Sequence, residues 1–227
     1  MTTLVIAAHP DDEILGAGGY VAKLSAAGED VHHLILAEGA TSRDDSRNAS
    51  GRSEEMCELA RCAHKAADIV GARSVSLEAF PDNRMDSIDL LDIVKVIEHH
   101  IRERTPTRVL THANSDVNID HRVIHDAVIA ATRPQPGNRI SEVLFFEVMS
   151  STEWRPPSSL PPFTPNCFID ISKHLGAKLD ALRAYATEMR NWPHARSVEA
   201  LEHLARLRGA TIGVEAAEAF AIGRICA

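Results

Sequence analysis

The sequence predicts an α/β fold built on a mostly parallel sheet flanked by helices. Short continuous apolar runs alternate with longer segments of helical periodicity, and the runs end in clusters of His, Asp or Glu. Runs apolar on both faces mark strands covered from both sides, and this alternation is the signature of βαβ units. With 227 residues, 44% hydrophobic and 25% charged, the chain can bury a full core and is not a disordered polymer. Its formal net charge of -8 repels phosphate backbones, so general nucleic-acid binding is not expected.

The run at 4–8 ends in His9-Pro10, where the proline stops a strand. Helical spacing over 14–27 closes on Gly28, and a second apolar run, 31–37, leads into Glu38-Gly39. The stretch 41–52 is rich in Ser, Asp, Asn and Arg and is expected to be a mobile loop over a site. A helix is predicted over 53–70 and a strand over 74–80, stopped by Pro81. Leu90, Ile93, Val94, Ile97 and Ile101 give 90–103 a helical stripe. A short strand at 109–111 closes on His112, and a helix is expected over 122–132. Beyond Pro134 the pattern loosens: strands at 143–148 and 168–171, helices at 175–189 and 199–207, and a proline-dense loop at 155–165. The expectation is one Rossmann-like domain over 1–227, with a core of about 1–150 and a C-terminal extension over 151–227. Gly16, Gly18 and Gly19 lie inside the first helix and are read as close helix–sheet packing, because the order and place of a dinucleotide-binding turn are missing.

Cys57, Cys62, Cys167 and Cys226 form no CxxC pair, which fits reduced thiols in a cytoplasmic protein. No basic residue precedes the first apolar run, and no segment approaches the roughly 20 apolar residues that span a bilayer.

In an open parallel sheet, ligands bind beyond the carboxyl ends of the strands. There the sequence places His9-Pro10-Asp11-Asp12-Glu13, Glu38, Asp82-Asn83-Arg84 and the stretch from His112 to His121. His9, Asp12 and His121 supply two nitrogens and one carboxylate, the donor set of a catalytic zinc site with open positions. A lone Asp at this place would be read as a helix cap. Two adjacent Asp between His and Glu exceed what a cap needs, and Asp11 is then free to act as general base. His112 is close enough for a hydrogen bond behind the ligands, while His125, one turn beyond His121, also suits a partly buried helix position.

Ala8-His9-Pro10-Asp11-Asp12-Glu13 resembles the signature of the PIG-L/LmbE-like metal-dependent N-deacetylases. Asn118-Ile119-Asp120-His121 stands where that family carries His-Pro-Asp-His. The resemblance implies zinc held by His9, Asp12 and His121, with iron(II) or another divalent ion acceptable to the same donors. It implies Asp11 as general base and Asp120 in an orienting role. The implied reaction removes an N-acetyl group from an N-acetylglucosamine-like sugar or sugar-bearing metabolite, releasing acetate and a free amine. The implied partner is a small-molecule N-acetylated sugar, and homo-oligomers are common among such enzymes. Asp82 and Arg84 would then bind sugar hydroxyls or a substrate phosphate, although Pro-Asp-Asn is also a strong turn sequence.

The chain departs from the family pattern at Asn118, which can donate a hydrogen bond to an oxyanion but cannot supply a proton. The family's second-helix arginine has no clean match, Arg52 and Arg61 both lying near its place. The last third continues the resemblance through Pro193-His194-Ala195-Arg196-Ser197, Arg208-Gly209 and Ala217-Glu218-Ala219-Phe220. From it His194 is expected to supply the acid or oxyanion contact that Asn118 cannot, against the plainer reading of a surface histidine. Two other functions stay open: a sugar-binding protein with weakened catalysis, and a metal-dependent amidohydrolase acting on a non-sugar amide.

Overall fold

Continuous apolar runs become strands here because both of their faces find cover. In β1 (Thr2–Ala7), Val5 and Ala7 enter one core cluster while Leu4 and Ile6 enter another. The computed structural model describes residues 1–226. After β1 come α1 (Asp12–Ala26), β2 (Asp30–Ala37), α2 (Ser53–Val70), β3 (Ser74–Phe80) and α3 (Leu90–Arg104). Then follow β4 (Arg108–His112), α4 (Ile119–Ala131), β5 (Glu142–Phe146), β6 (Cys167–Asp170), α5 (Leu175–Ala184), α6 (Val198–Ile212) and β7 (Ala217–Ile225).

All seven strands join one sheet in the order β3-β2-β1-β4-β5-β7-β6. The first five are parallel; β7 runs antiparallel to both β5 and β6. Helices α1, α2, α5 and α6 cover one face through Ile14, Ala63, Leu182 and Leu201, and α3 and α4 cover the other through Ile93, Ile97, Ile124 and Val128. Each such fully buried Leu, Ile or Val side chain contributes roughly 1.5–3 kcal/mol. The fold is the predicted α/β class. Its strand order reverses between β1 and β4, and the crevice beyond their carboxyl ends is where such sheets bind ligands. Pairing of Val5 with Leu110 brings those two ends level.

Several boundaries differ from the sequence expectation. The strand β7 was not anticipated, because Ala, Glu and Gly in Ala217–Ile225 are weak strand formers and its place is fixed by pairing on both sides. Helix α4 starts three residues before the expected 122, capped by Asn118, so Asp120 and His121 lie in its first turn. Helix α5 stops at Ala184 rather than 189, as Tyr185 leaves helical geometry with its side chain fully buried. The stretch 41–52 contains two single 3-10 turns, Thr41–Arg43 and Ser50–Arg52, and is tied down by ion pairs of Arg47 with Glu38 and of Arg52 with Asp44 and Glu55.

The α1 glycines do pack closely: a Cβ on Gly16 would overlap the Phe146 ring, and one on Gly19 would meet Ile171 and Glu218. The open side of Gly19 admits the Glu218 carboxylate, which accepts from the N–H groups of Gly19 at 2.9 Å and Tyr20 at 2.7 Å. Lys178 completes this buried group, donating to Glu218 at 2.5 Å and to the Leu15 carbonyl at 2.8 Å. Among the described residues, no helix is long and apolar enough to cross a membrane.

Candidate metal centre and active site

The turn after β1 is built on an uncommon backbone. Asp11 sits at φ 115°, a region that L-residues avoid at a cost of about 1–3 kcal/mol, and its side chain makes no capping bond to α1. The capping reading of Asp11 is thereby set aside. The strained turn is held from behind: the Asp11 N–H donates to Glu13 Oε2 at 3.0 Å, and the Tyr185 hydroxyl donates to Glu13 Oε1 at 2.5 Å. Burial raises the Glu13 carboxyl to about 7, against the pull of the Tyr185 bond.

His9, Asp12 and His121 converge as predicted. His9 Nδ1 lies 3.1 Å and His121 Nε2 3.2 Å from Asp12 Oδ2, and one donor atom from each residue falls within 4.8 Å of the others. Among the described residues, Asp12 Oδ1 and His121 Nε2 are buried without a hydrogen-bond partner. Donor atoms gathered in this way fit a divalent cation, and nitrogen with carboxylate oxygen suits zinc-class metals.

Each imidazole is backed by a carboxylate. Asp120 Oδ2 stands 3.1 Å from His9 Nε2 and is fixed by the Asn83 N–H at 2.7 Å, while Asp120 Oδ1 accepts from the Met85 N–H at 3.0 Å. Asp116 Oδ2 stands 3.0 Å from His121 Nδ1 and accepts from the Thr152 hydroxyl, while Asp116 Oδ1 accepts from the Ser151 hydroxyl. Carboxylates placed behind ligating histidines set the tautomer and aim the free nitrogen. A second three-donor group, His9 with Asp82 and Asp120, shares His9 with the first.

His112 lies under this group. Its Nε2 accepts the Ala8 N–H at 2.8 Å, its ring stacks on His121 with centroids 4.0 Å apart, and burial next to His121 holds its pKa well below the ordinary range. A neutral ring in that role supports the turn and is not a ligand. The His125 Nδ1 pairs with the His112 carbonyl at 2.9 Å, away from the cluster.

Charge states follow from burial and partners. Burial works against ionised Asp12, yet His121 and His9 outweigh it and hold the carboxyl well below its usual range. Burial drives the Asp11 carboxyl well above that range, with the Arg196 guanidinium opposing. His121 is raised to about 9 because Asp12 and Asp116 overcome its burial. Asp82 and Asp116 are held down at about 2, in each case because a histidine and hydroxyl or backbone donors overcome burial.

The cluster opens into a pocket lined by His9, Pro10, Asp11, Gly39, Ser42, Arg43, Asp82, Asn83, Asn118, Glu188, Arg190 and Arg196. Its volume, about 210 Å³, is below the usual range for a drug-sized ligand, so only the reacting end of a ligand would be enclosed. A larger hollow of about 390 Å³ lies at the opposite end of β4, lined by residues such as Glu98, Ile101 and Arg139, and holds none of this chemistry.

The other predicted residues fall on both sides of that boundary. Asp82 lines the pocket, 3.3 Å from His9 Nε2. Asn118 also lines it, but its Oδ1 caps α4 by accepting from the Asp120 N–H at 2.9 Å, which leaves the amide N–H groups free. Arg84 departs from expectation: its guanidinium reaches the carbonyls of Asp44 and Asp45 at 3.4 Å and braces the loop instead of lining the pocket. Arg52 and Arg61 are paired with Asp44, Glu55 and Glu58 outside the pocket.

His194 is the clearest correction. The turn that follows Asn191, closed by the N–H groups of His194 and Ser197, leaves the His194 ring exposed and edge-on to Trp154. Two residues on, the same turn sends Arg196 inward, where Nη1 donates to Asp11 Oδ2 at 3.0 Å and Nε to Ser150 Oγ at 3.0 Å. Sequence reasoning missed Arg196 as a pocket residue, together with Arg43, Glu188 and Arg190, and it missed Asp116 as the carboxylate behind His121. Asp116 had a faint signal in its place two residues before Asn118, beyond β4; Arg196 had its place in the stretch Pro193-His194-Ala195-Arg196-Ser197, while Glu188 and Arg190 had none beyond their charge.

A family model described as PIG-L, GlcNAc-PI de-N-acetylase, matches residues 4–132. The chain is 25% identical over 195 residues to the probable N-acetyl-alpha-D-glucosaminyl L-malate deacetylase 2 of Bacillus cereus, a match covering 85% of this chain and 87% of the relative. It is similar to the solved structure of N,N'-diacetylchitobiose deacetylase from Pyrococcus horikoshii, with a TM-score of 0.78 and 20% identity over 98% of this chain and 84% of that one. It is also similar to GalB, the 4-carboxy-2-hydroxymuconate hydratase from Pseudomonas putida KT2440, with a TM-score of 0.76 and 22% identity over 100% of this chain and 97% of that one. These structural likenesses show the fold, which thus serves more than one reaction.

Proposed function

The chain belongs to the PIG-L family of de-N-acetylases, and from that premise we propose that it is a zinc-dependent hydrolase of N-acetylated sugars. The reaction splits an acetamido group on a glucosamine-like sugar, or on a metabolite bearing one, into acetate and a free amine. One observation carries the reading: donor atoms of His9, Asp12 and His121 converge beside Asp11 at the mouth of a pocket.

His9, Asp12 and His121 would hold the ion. A zinc-class ion supplies Lewis acidity to the amide carbonyl and to water. The chain's own residues do the rest. Asp120 and Asp116 fix the two imidazoles, and His112 keeps the Ala8 backbone in register. Asp11 takes the proton of the attacking water and returns it to the departing nitrogen, work that suits a carboxyl raised by burial. Asp82 accepts hydrogen bonds from sugar hydroxyls, and the Asn118 amide donates to the substrate. The names of the Bacillus and Pyrococcus relatives, both deacetylases of N-acetylated sugars, support this substrate class. Four unpaired cysteines support work in the reducing cytoplasm.

The test is metal content per chain and acetate release from N,N'-diacetylchitobiose and N-acetylglucosamine conjugates, for the wild type and His121→Ala. Near-stoichiometric metal in the wild type, lost with activity in the variant, is the expected outcome. A wild type that takes up no metal even when zinc is supplied would overturn the reading.

A further inference from the structure

We infer that Arg196 is a catalytic residue, meeting the carbonyl oxygen of the scissile acetamido group while its other arm steadies Asp11. The inference rests on the deacetylase reading and goes beyond it.

The pocket holds three arginines, and only one of them is aimed at the reacting groups. Arg43 donates to Glu188 at 2.6 Å, and Arg190 Nη1 donates to the Thr187 and Met189 carbonyls. Arg196 instead pairs with Asp11, whose side chain is 1% exposed, while its own is 22% exposed and lines the pocket. A guanidinium carries five N–H donors in a fixed fork. Here Nε is committed to Ser150 Oγ and Nη1 to Asp11, and among the described residues Nη2 has no acceptor.

The backbone that carries the fork is also tied down. The Arg196 N–H donates to His194 Nδ1 at 3.0 Å, its carbonyl accepts from the Arg190 N–H at 2.9 Å, and Ser197 next to it caps α6. Donors fixed before the reaction need no rearrangement when charge develops, which is the condition for strong electrostatic stabilisation.

Amide hydrolysis calls for such a group. As water attacks, its O–H bond breaks toward Asp11, a C–O bond forms, and the carbonyl π pair moves onto oxygen, where the Arg196 fork stands. The pair returns as the C–N bond breaks, and the nitrogen leaves with the proton that Asp11 held. The product acetate then carries its negative charge against the same guanidinium. Asn118, another donor that lines the pocket, is uncharged and has its oxygen tied up in the α4 cap. A merely structural ion pair would hold Asp11 in place but would leave the acetate and the carbonyl oxygen untouched.

The experiment compares wild type, Arg196→Lys and Arg196→Met by metal content, melting temperature, kcat and KM on N,N'-diacetylchitobiose, and by titration with acetate as product probe. Expected for Arg196→Met are retained metal, a kcat lower by about 10²–10³, and a KM changed by no more than about threefold. Added guanidinium should restore part of the turnover, and Arg196→Lys should fall between the two. Near-wild-type kcat in Arg196→Met would overturn the inference, and so would equal loss in both variants with no rescue and with metal gone. A wild type that releases no acetate would count against the deacetylase reading alone. The acetate titration would then decide on Arg196: affinity at least tenfold weaker in Arg196→Met supports it, and unchanged affinity overturns it.

Discussion

At position 33 the chain buries an imidazole whose two ring nitrogens both lack hydrogen-bond partners among the described residues. Burial, with a small push from neighbouring His32, lowers its pKa to about 3. The folded state therefore keeps His33 neutral while the unfolded chain takes up a proton below about pH 6.5. The contribution is fully present above that value and is lost as pH falls toward the folded-state pKa, at about 1.4 kcal/mol per pH unit. Replacing His33 with Leu should flatten this acid slope of stability, measured by urea unfolding between pH 7 and pH 5; an unchanged slope would mean that the ring finds a partner in solution. At the active rim the residue scale was partly legible. His9, Asp12 and His121 announce themselves because few residue types bind metal and strand ends are where ligands collect. Asp116 did not, because an Asp two residues before a helix cap looks like any turn residue until His121 is seen to lean on it.

Among the elements, α1 carries the most. Its first turn presents Asp12, its glycines let it sit against Phe146 and Ile171, and Glu218 from β7 bonds its backbone in mid-helix. The Lys178–Glu218 pair is almost wholly buried, and removing one member leaves an uncompensated charge. Glu218→Ala should cost about 3–5 kcal/mol in chemical unfolding. A joint Lys178→Met and Glu218→Leu change should recover part of it, and a loss below 1 kcal/mol for the single variant would show that water reaches the lysine. Helical periodicity revealed α2 and α3 almost to the residue, since their apolar stripes are local signals. It overran α5, whose stripe continues past Ala184 although Tyr185 turns away to reach Glu13. It missed β7, where the weak strand formers Ala, Glu and Gly outnumber Phe220, Ile222 and Ile225.

For the whole molecule, the family model covers residues 4–132, yet the pocket and the sheet draw on residues far beyond. Arg196, Glu188 and Arg190 line the pocket, Tyr185 braces Glu13, and β7 closes the sheet between β5 and β6. A fragment of residues 1–150 should therefore fail to fold cooperatively, since it would expose the edge of β5 and the α1 face that α5 and β7 cover. Thermal melting of the purified fragment checks this, and a sharp transition would show that the early strands stand alone. The fold shared with a hydratase shows that the architecture does not select the reaction; the side chains at the rim do. By itself the sequence determined the alternation of strands and helices, the crevice at the strand ends and the three convergent donors, because periodicity and residue chemistry are local properties. Only the tertiary structure decided that Arg196 and not His194 faces Asp11, 185 residues away in the chain, and that Arg84 braces a loop. Which side of a turn points inward depends on how distant segments pack, and no spacing along one segment records that.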